Sequence, residues 1–99
     1  MAYTQKLIQT RPNTSVDFFT QNAEGVAKTN EYISAGKITA DGIVDVISED
    51  QLTKTSTMTF NTQDDYDEYR AEDIVNQNKD ARVIHCQNNS ISWSREDNT

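Results

Sequence analysis

Leu52-Thr53-Lys54-Thr55-Ser56-Thr57-Met58-Thr59-Phe60 is the stretch that decides the fold of this 99-residue chain. Every second residue in it is a threonine. Since successive side chains of a β-strand point to opposite faces of a sheet, this alternation predicts a strand with one β-branched polar face. The opposite face carries Leu52, Met58 and Phe60. The stretch holds no residue suited to catalysis, so it bears on the fold alone.

The residues before this strand predict an antiparallel hairpin. Residues 37–48 form a second strand, and Ser48-Glu49-Asp50-Gln51 forms the turn. A four-residue loop built on a type I turn suits this sequence better than a two-residue turn, which would require positive φ at two acidic positions. The four-residue loop places Asp45 opposite Lys54, an opposite-charge pair. A three-residue loop is the alternative, and it would shift the register by one residue.

A strand and a helix are predicted before the hairpin. The strand covers residues 3–10 and ends near Pro12, which has no N–H to donate to a neighbouring strand. Apolar residues at spacings of three and four then predict a helix over residues 16–35, capped by Thr14 or Ser15. Gly36 follows directly and suits the left-handed conformation that closes helices.

A second helix and a last strand are predicted after the hairpin. The helix begins at Thr62, bends near residues 71–73 and runs to about Gln87. The alternative makes residues 82–86 a strand, because two of them are β-branched. The last strand covers residues 90–95, and residues 96–99 form a polar tail.

The predicted order is strand, helix, strand, strand, helix, strand, within one domain over residues 1–99. This βαββαβ order indicates an α+β chain with a ferredoxin-like fold, in which a four-stranded antiparallel sheet carries both helices on one face. The other face of the sheet is left open.

The open sheet face is predicted to bind a second copy of the chain. The hydrophobic content of 34% is modest for a chain of this size, and small domains with modest cores often rely on oligomerisation. The second strand is also apolar on both sides, which suggests that both sides are covered. The alternative is a solvated face with exposed valines. The predicted dimer face consists of Val44, Val46, Thr53, Thr55 and Thr57.

The charge and composition oppose several classes of function. The net charge of −7 disfavours binding to nucleic acid and to anionic membrane surfaces, which depends on lysine and arginine. The threonine face also lacks the aromatic residues on which RNA-recognition modules stack bases. With one cysteine, an intrachain disulfide is excluded, and neither a leader peptide nor a membrane-spanning apolar run is suggested. A cytoplasmic location is therefore expected.

No pattern of residues predicts a metal or cofactor site. His85 and Cys86 are adjacent on the predicted helix and diverge around its axis, and paired zinc ligands are missing. The acidic residues 64–68 lack the glycine of a calcium loop and are typical of a solvated helix face. We therefore expect no catalytic, cofactor-binding or metal-binding residue. Five side chains are candidates for lining a pocket, with ordinary core or interface packing as the alternative: His85, Trp93, Tyr3, Tyr66 and Tyr69.

The chain resembles the dimeric α/β-barrel group, which includes antibiotic-biosynthesis-monooxygenase-like proteins. The resemblance lies in the element order, in the Ser48-Glu49-Asp50-Gln51 hairpin leading into Leu52-Thr53-Lys54-Thr55, and in an aromatic acidic helix after Phe60. It implies a ferredoxin-like fold and a homodimer. In that group, cavities between sheet and helices bind aromatic substrates or haem, but no motif transfers a residue's role. The Asn/Thr-rich texture around Thr10-Arg11-Pro12-Asn13-Thr14 is also similar to small proteins of marine tailed phages.

These observations favour a small homodimeric accessory or structural protein without catalytic activity. It would be cytoplasmic, or located in the host cytoplasm or the virion if a phage encodes it. One alternative is a cofactor-independent monooxygenase-like enzyme or a small-ligand binder. Another is an acidic module that docks onto a viral or cellular assembly. An enclosed pocket with convergent polar groups would distinguish the enzyme or ligand binder from the accessory protein.

Overall fold

A computed structural model describes residues 2–98, which form four strands and three helices. In chain order, these are β1 (Tyr3–Thr10), α1 (Ala23–Ser34), β2 (Ile38–Ile47), β3 (Thr53–Phe60), α2 (Gln63–Arg70), α3 (Asp73–Asn88) and β4 (Ser92–Asp97).

The strands form one antiparallel sheet in the order β2-β3-β1-β4. The helices cover one face of this sheet, and the other face carries none of the described helices. The ferredoxin-like prediction is confirmed. Helix α1 connects β1 to β2, and α2 with α3 connects β3 to β4. In each case one strand of the sheet lies between the two strands that are connected.

The β2–β3 hairpin has the predicted faces but a different register. Val44 lies opposite Thr57, and Val46 lies opposite Thr55. The loop does contain four residues, but they are 49–52, and a hydrogen bond from Ser48 N to Thr53 O (2.9 Å) closes it. The predicted pairing of Asp45 with Lys54 is therefore wrong, and Asp45 lies opposite Ser56.

Asp50 explains the shifted register. Its carboxylate accepts hydrogen bonds from Ser48 Oγ (2.6 Å) and from Leu52 N (3.0 Å). These bonds draw Leu52 into the turn instead of the strand, and Gln51 adopts a left-handed φ of 63°. An acidic side chain that binds backbone two residues ahead is a common turn-forming device.

A bulge in β2 allows both Ile38 and Ile43, which lie five residues apart, to lie on the sheet face that the helices cover. Ile38 lies opposite Phe60 and Ile43 lies opposite Met58, so β2 advances five residues while β3 moves back two. Gly42 makes this close approach possible, because a Cβ there would lie 2.9 Å from the Thr59 carbonyl oxygen. The bulge thereby turns Ile43 toward the helices.

The first helix is shorter than predicted, and Val26 and Ala27, two of the apolar residues whose spacing predicted it, are exposed. It begins after Asn22, whose side chain accepts a hydrogen bond from Gly25 N (2.9 Å), rather than after residue 14 or 15. Its buried residues are Gly25, Thr29 and Tyr32. Gly25 packs against Asn78 of α3, where a Cβ would lie 2.7 Å from the Asn78 amide nitrogen. The prediction that Gly36 closes this helix is confirmed by its φ of +77°.

The second helical segment breaks close to the predicted bend. Helix α2 ends at Arg70 and α3 begins at Asp73, and residues 82–86 are helical. The last strand begins two residues later than predicted, since Ser90 adopts a left-handed φ of 57° before the chain turns into β4. Two residues of the predicted polar tail, 96 and 97, belong to β4, while Thr99 lies outside the described residues.

The apolar core occupies one end of the space between sheet and helices. Phe60 contacts Tyr66 and Tyr69 with ring centres 5.3 Å apart, and Tyr32 contacts Tyr69 at 5.2 Å. Ile38, at the start of β2, is fully buried beside them. Away from this cluster the buried side chains include the polar residues Gln5, Gln9, Asn78 and Arg82, together with Cys86 and Ile91.

Tyr32 is expected to make the protein less stable at alkaline pH. Burial raises the pKa of Tyr32, and the hydrogen bond from its hydroxyl to Glu72 Oε2 (2.7 Å) raises it further. An unfolded tyrosine releases its proton near pH ~10. Above about that pH the unfolded chain therefore binds fewer protons than the folded one, and the free energy of unfolding falls as pH rises.

Tyr32→Phe removes this contribution, so its stability should fall less steeply with pH than that of the wild type. Urea unfolding at several pH values between about 9 and 11 measures both slopes. Equal slopes in the two proteins would contradict the assignment.

Candidate functional site

A cavity of about 260 Å³ lies between the sheet and the helices, next to the aromatic core. It is partly open to solvent. The sheet forms its floor, α3 forms much of its roof, and the loop over residues 11–22 forms a side wall through Phe19, Thr20 and Gln21. Ligand pockets are concave spaces of roughly 300–1,000 Å³, so this cavity lies just below their usual size.

The side chains that form the floor of the cavity alternate along each strand with the side chains of the open sheet face. Gln5, Leu7 and Gln9 project into it from β1, and Ser56 and Met58 project from β3. Gln9 is fixed, because its Oε1 accepts a hydrogen bond from Phe19 N (3.0 Å) and so holds the side wall in place. Gln5 is only 5% exposed, and its Oε1 has no hydrogen-bond partner within residues 2–98.

The roof of the cavity comes from one face of α3. Val75, Asn78 and Arg82 recur at spacings of three and four, so they share this face. Asn78 is fully engaged with the backbone: its Oδ1 accepts from Asn22 N (3.0 Å), and its amide donates to Ile74 O (2.9 Å). These bonds tie α3 to the start of α1 and make the roof rigid.

Arg82 is the most unusual residue of the site. It is 6% exposed, and its guanidinium carbon lies 4.6 Å from the centre of the Trp93 ring on β4. Its Nε and Nη2 atoms are buried without a hydrogen-bond partner among the described residues. A buried charge without a counter-ion is unfavourable. The fold therefore holds a cation in place without supplying an anion for it.

The cavity is basic although the protein is acidic. Its lining includes Lys54, Arg70 and Arg82 against a single acid, Asp45, whereas the whole chain has a net charge of −7. Burial lowers the pKa of Arg82, and the charges of Arg70 and Arg95 lower it further. The lowered pKa of Arg82 reflects a site where positive charge is concentrated and poorly solvated.

The site offers groups for binding and orientation. Tyr69 lines the cavity, its hydroxyl lies 3.1 Å from Thr29 Oγ1, and burial raises its pKa, so the phenol stays protonated at neutral pH. Burial likewise raises the pKa of Cys86 and keeps it as a thiol. Within residues 2–98, His, Cys, Asp and Glu form no group of three or more that could hold a metal ion.

The five pocket candidates named from the sequence lie in different places. Tyr69 lines the cavity, and Trp93 supports Arg82 from behind. Tyr3 and Tyr66 stack on each other with ring centres 4.6 Å apart, beside the core. His85 lies at the side wall, with its Nε2 2.8 Å from Asp17 O.

Sequence reasoning missed the polar residues that define the cavity. Gln5 and Gln9 occupy core-facing positions of β1, and Asn78 and Arg82 occupy the core-facing stripe of α3. The available signal was the placement of polar residues where the two periodicities require apolar ones.

The residues of the predicted dimer face do share the open sheet face. Val44 and Val46 are 48% and 59% exposed, and each lies opposite one of the threonines of β3. The hydroxyls of Thr10 and Thr53 lie 3.2 Å apart on the same face. On β2 and β3 this face therefore consists mainly of β-branched side chains.

Comparison with known proteins finds structural neighbours. No protein-family model and no curated protein matches the chain. An antibiotic-biosynthesis-monooxygenase-like protein from Caulobacter crescentus CB15 is similar with a TM-score of 0.49 at 9% identity, over 98% of this chain and 90% of that one. Rv0793 from Mycobacterium tuberculosis has a TM-score of 0.48 at 12% identity, over 95% and 92%. A further antibiotic-biosynthesis-monooxygenase-like protein, from Deinococcus radiodurans, has a TM-score of 0.45 at 15% identity, over 98% and 89%.

These neighbours include the antibiotic-biosynthesis-monooxygenase-like group that the sequence resembles. They lend no support to the resemblance to phage proteins, and identities this low transfer no residue's role to this chain. No helix within residues 2–98 has both the length and the apolar character needed to cross a bilayer.

Arg82→Met should stabilise the ligand-free protein. Methionine keeps an apolar stem against Trp93 and removes the unpaired buried charge. We expect the free energy of unfolding to rise by about 1 kcal/mol, since an unsatisfied buried group costs about 1–3 kcal/mol and the lost stacking on the ring offsets part of that gain.

Urea unfolding at neutral pH measures the effect. Arg95→Met is the matched control, because Arg95 already pairs with Asp97 (3.4 Å) and should give no gain. A variant at position 82 that is less stable than the wild type would show that the guanidinium is satisfied in solution.

Proposed function

We propose that this protein binds a small polar organic molecule in the cavity between its sheet and helices. The observation that carries the proposal is the convergence of fixed polar side chains on a cavity of about 260 Å³, at the position where a small domain would normally place apolar core residues. Concave sites with a few well-placed polar groups are typical of ligand pockets.

The rigidity of the cavity supports a binding role. Gln9 and Asn78 are both held by backbone hydrogen bonds, at 3.0 Å to Phe19 N and 3.0 Å to Asn22 N. Their geometry is therefore set before any ligand arrives. A preorganised site of this kind loses less entropy on binding than a flexible one.

The lining argues for binding ahead of catalysis. It supplies hydrogen-bond donors, an acceptor and positive charge, while its phenol, Tyr69, stays protonated because burial raises its pKa. Such groups recognise and orient a molecule. The proposal thus follows the small-ligand alternative of the sequence analysis in preference to a purely structural protein.

Filling the cavity should abolish binding. Ser56 projects from β3 into the cavity, and Ser56→Leu places an apolar side chain in the space that a ligand would occupy. Binding is measured by NMR chemical-shift perturbation with a library of small organic compounds in which each carboxylic acid is paired with its carboxamide. We expect hits that shift the amide signals of the cavity residues, and an affinity reduced by about tenfold or more in the variant.

Ser34→Leu is the control for this experiment, because Ser34 is an exposed residue at the end of α1 that does not line the cavity. It introduces the same side chain outside the cavity and should leave the hits unchanged. If no member of the library perturbs the cavity signals of the wild type, the ligand-binding proposal fails.

We also propose that two copies of the chain pair through the open face. This face is nearly free of net charge: Lys6 of β1 lies opposite Glu96 of β4, and the rest of the face is threonine, serine, valine and isoleucine. In a protein of net charge −7, a neutral face lets two copies meet without like-charge repulsion. Its exposed valines add apolar area to the contact.

Sedimentation velocity over a range of concentrations tests this pairing. We expect a dimer for the wild type and a dissociation constant raised by about tenfold or more in Val46→Glu, since an unpaired charge would be buried at the contact. Val83→Glu is the control, because Val83 is an exposed valine of α3 away from the open face. A wild type that stays monomeric at high concentration would refute the pairing.

A further inference from the structure

Arg82 lines the cavity, and one edge of its guanidinium has no protein partner among residues 2–98. The two unpaired atoms, Nε and Nη2, are neighbours on the same edge of the planar group, and both are buried. Their N–H bonds run nearly parallel, which is the geometry that matches the two oxygens of a carboxylate. A single-point acceptor such as a hydroxyl would leave one of the two donors unsatisfied.

The orientation of this edge is fixed by the protein. The guanidinium lies 4.6 Å from the centre of the Trp93 ring, so its flat face is covered by an aromatic side chain of β4. The stem runs from α3, and the whole residue is 6% exposed. Arg82 is therefore held in one orientation before any anion binds, and little side-chain entropy remains to be lost on binding.

The charges around Arg82 favour an anion further. Arg70 lines the same cavity, and Arg70 and Arg95 are both near enough to lower the pKa of Arg82, after burial itself. Arg95 is engaged with Asp97 at 3.4 Å, whereas Arg82 forms no ion pair within residues 2–98. One bound anion would reduce the repulsion among these arginines and supply the hydrogen bonds that Arg82 lacks.

The remainder of the cavity fits an organic molecule better than an inorganic anion. Gln5 Oε1 is a buried acceptor without a partner, so it calls for a hydrogen-bond donor on the ligand. Leu7, Met58 and Val75 add apolar lining. A fully ionised inorganic anion would place further negative charge near Gln5 Oε1 and leave the apolar lining unused.

We infer that the ligand is a small organic carboxylate, bound side-on through both oxygens by Nε and Nη2 of Arg82. Its body packs on the apolar lining and carries a hydroxyl or amide donor for Gln5. This assignment rests on the proposed ligand-binding function and adds the chemical class of the ligand. In this arrangement, Trp93 acts as a positioning residue for Arg82.

The test uses the full chain and the same library of acids and amides, which includes 3- and 4-hydroxybenzoate with their hydroxybenzamides, and inorganic phosphate as a further probe. NMR titration gives the affinity of each. We expect the acids that bind to do so about tenfold or more tightly than their amides, because a charge-assisted bidentate pair is lost in the amide. Arg82→Gln should bring the affinity of each acid down to that of its amide.

Three further variants test the donor geometry of Arg82, the contact with Gln5 and the effect of a nearby cation. Arg82→Lys retains the charge but lacks the parallel donor edge, so it should recover only part of the affinity lost in Arg82→Gln. Gln5→Leu should remove the preference for hydroxybenzoates over benzoate. Arg95→Gln is the control for a nearby cation outside the cavity lining, and it should change the affinity for acids by less than about threefold.

Several outcomes would overturn the carboxylate assignment. Amides that bind at the cavity as tightly as their acids would leave the ligand-binding proposal standing and remove the role of Arg82. Acid affinity that is unchanged in a folded Arg82→Gln variant, judged from its amide spectrum, would do the same. Phosphate that displaces the acids with equal affinity would indicate a general anion site. A library without any cavity hit would instead defeat the ligand-binding proposal itself.

Discussion

A cluster of aromatic rings at one end of the molecule joins the two layers, and the other features of the structure depend on it. Phe60 reaches from the sheet to Tyr66 and Tyr69 of α2, and Tyr69 reaches on to Tyr32 of α1. Such ring pairs are worth about 0.5–1.5 kcal/mol each beyond the area that they bury. Because packed rings fill this end of the interlayer space, the space beside it can hold polar groups and a cavity while the layers stay together.

The polar half of the interlayer space is organised by two hydrogen-bonded anchors. Asn78 joins α3 to the cap of α1, and Gln9 joins β1 to the loop over residues 11–22. Both are buried side chains that satisfy backbone groups, which is what keeps an irregular loop ordered against the sheet. Arg82 lies one turn of α3 beyond Asn78 and is stabilised by Trp93 without being neutralised. A group held at a cost to stability is characteristic of a site shaped for binding.

The two faces of the sheet also differ in composition. The covered face changes from aromatic to polar along the strands, and the open face is mostly threonine, serine, valine and isoleucine with one pair of opposite charges. The proposed ligand site and the proposed contact between copies therefore lie on opposite sides of β1 and β3. A one-residue shift in either strand would exchange the two faces, so both proposed roles depend on the same register.

Local periodicity in the sequence determined the βαββαβ order, the faces of β2 and β3, the closure of α1 at Gly36 and a bend near residues 71–73, where the structure has a break between α2 and α3. Alternation, helical spacing and glycine geometry act over a few residues, so they can be read directly from the chain. The start of α1 and the hairpin register were decided by single side chains, Asn22 and Asp50, that chose among several turn geometries allowed by the sequence.

The cavity was decided by tertiary structure alone. Gln5, Arg82 and Trp93 come from β1, α3 and β4, far apart in the chain, and each alone resembles an ordinary polar or aromatic residue. Their roles arise only when packing buries Arg82 against the ring and leaves its donor edge without a partner. Sequence periodicity states which face a residue occupies. Burial, and the absence of a protein partner for a charged group, depend on the neighbours that the folded chain brings together.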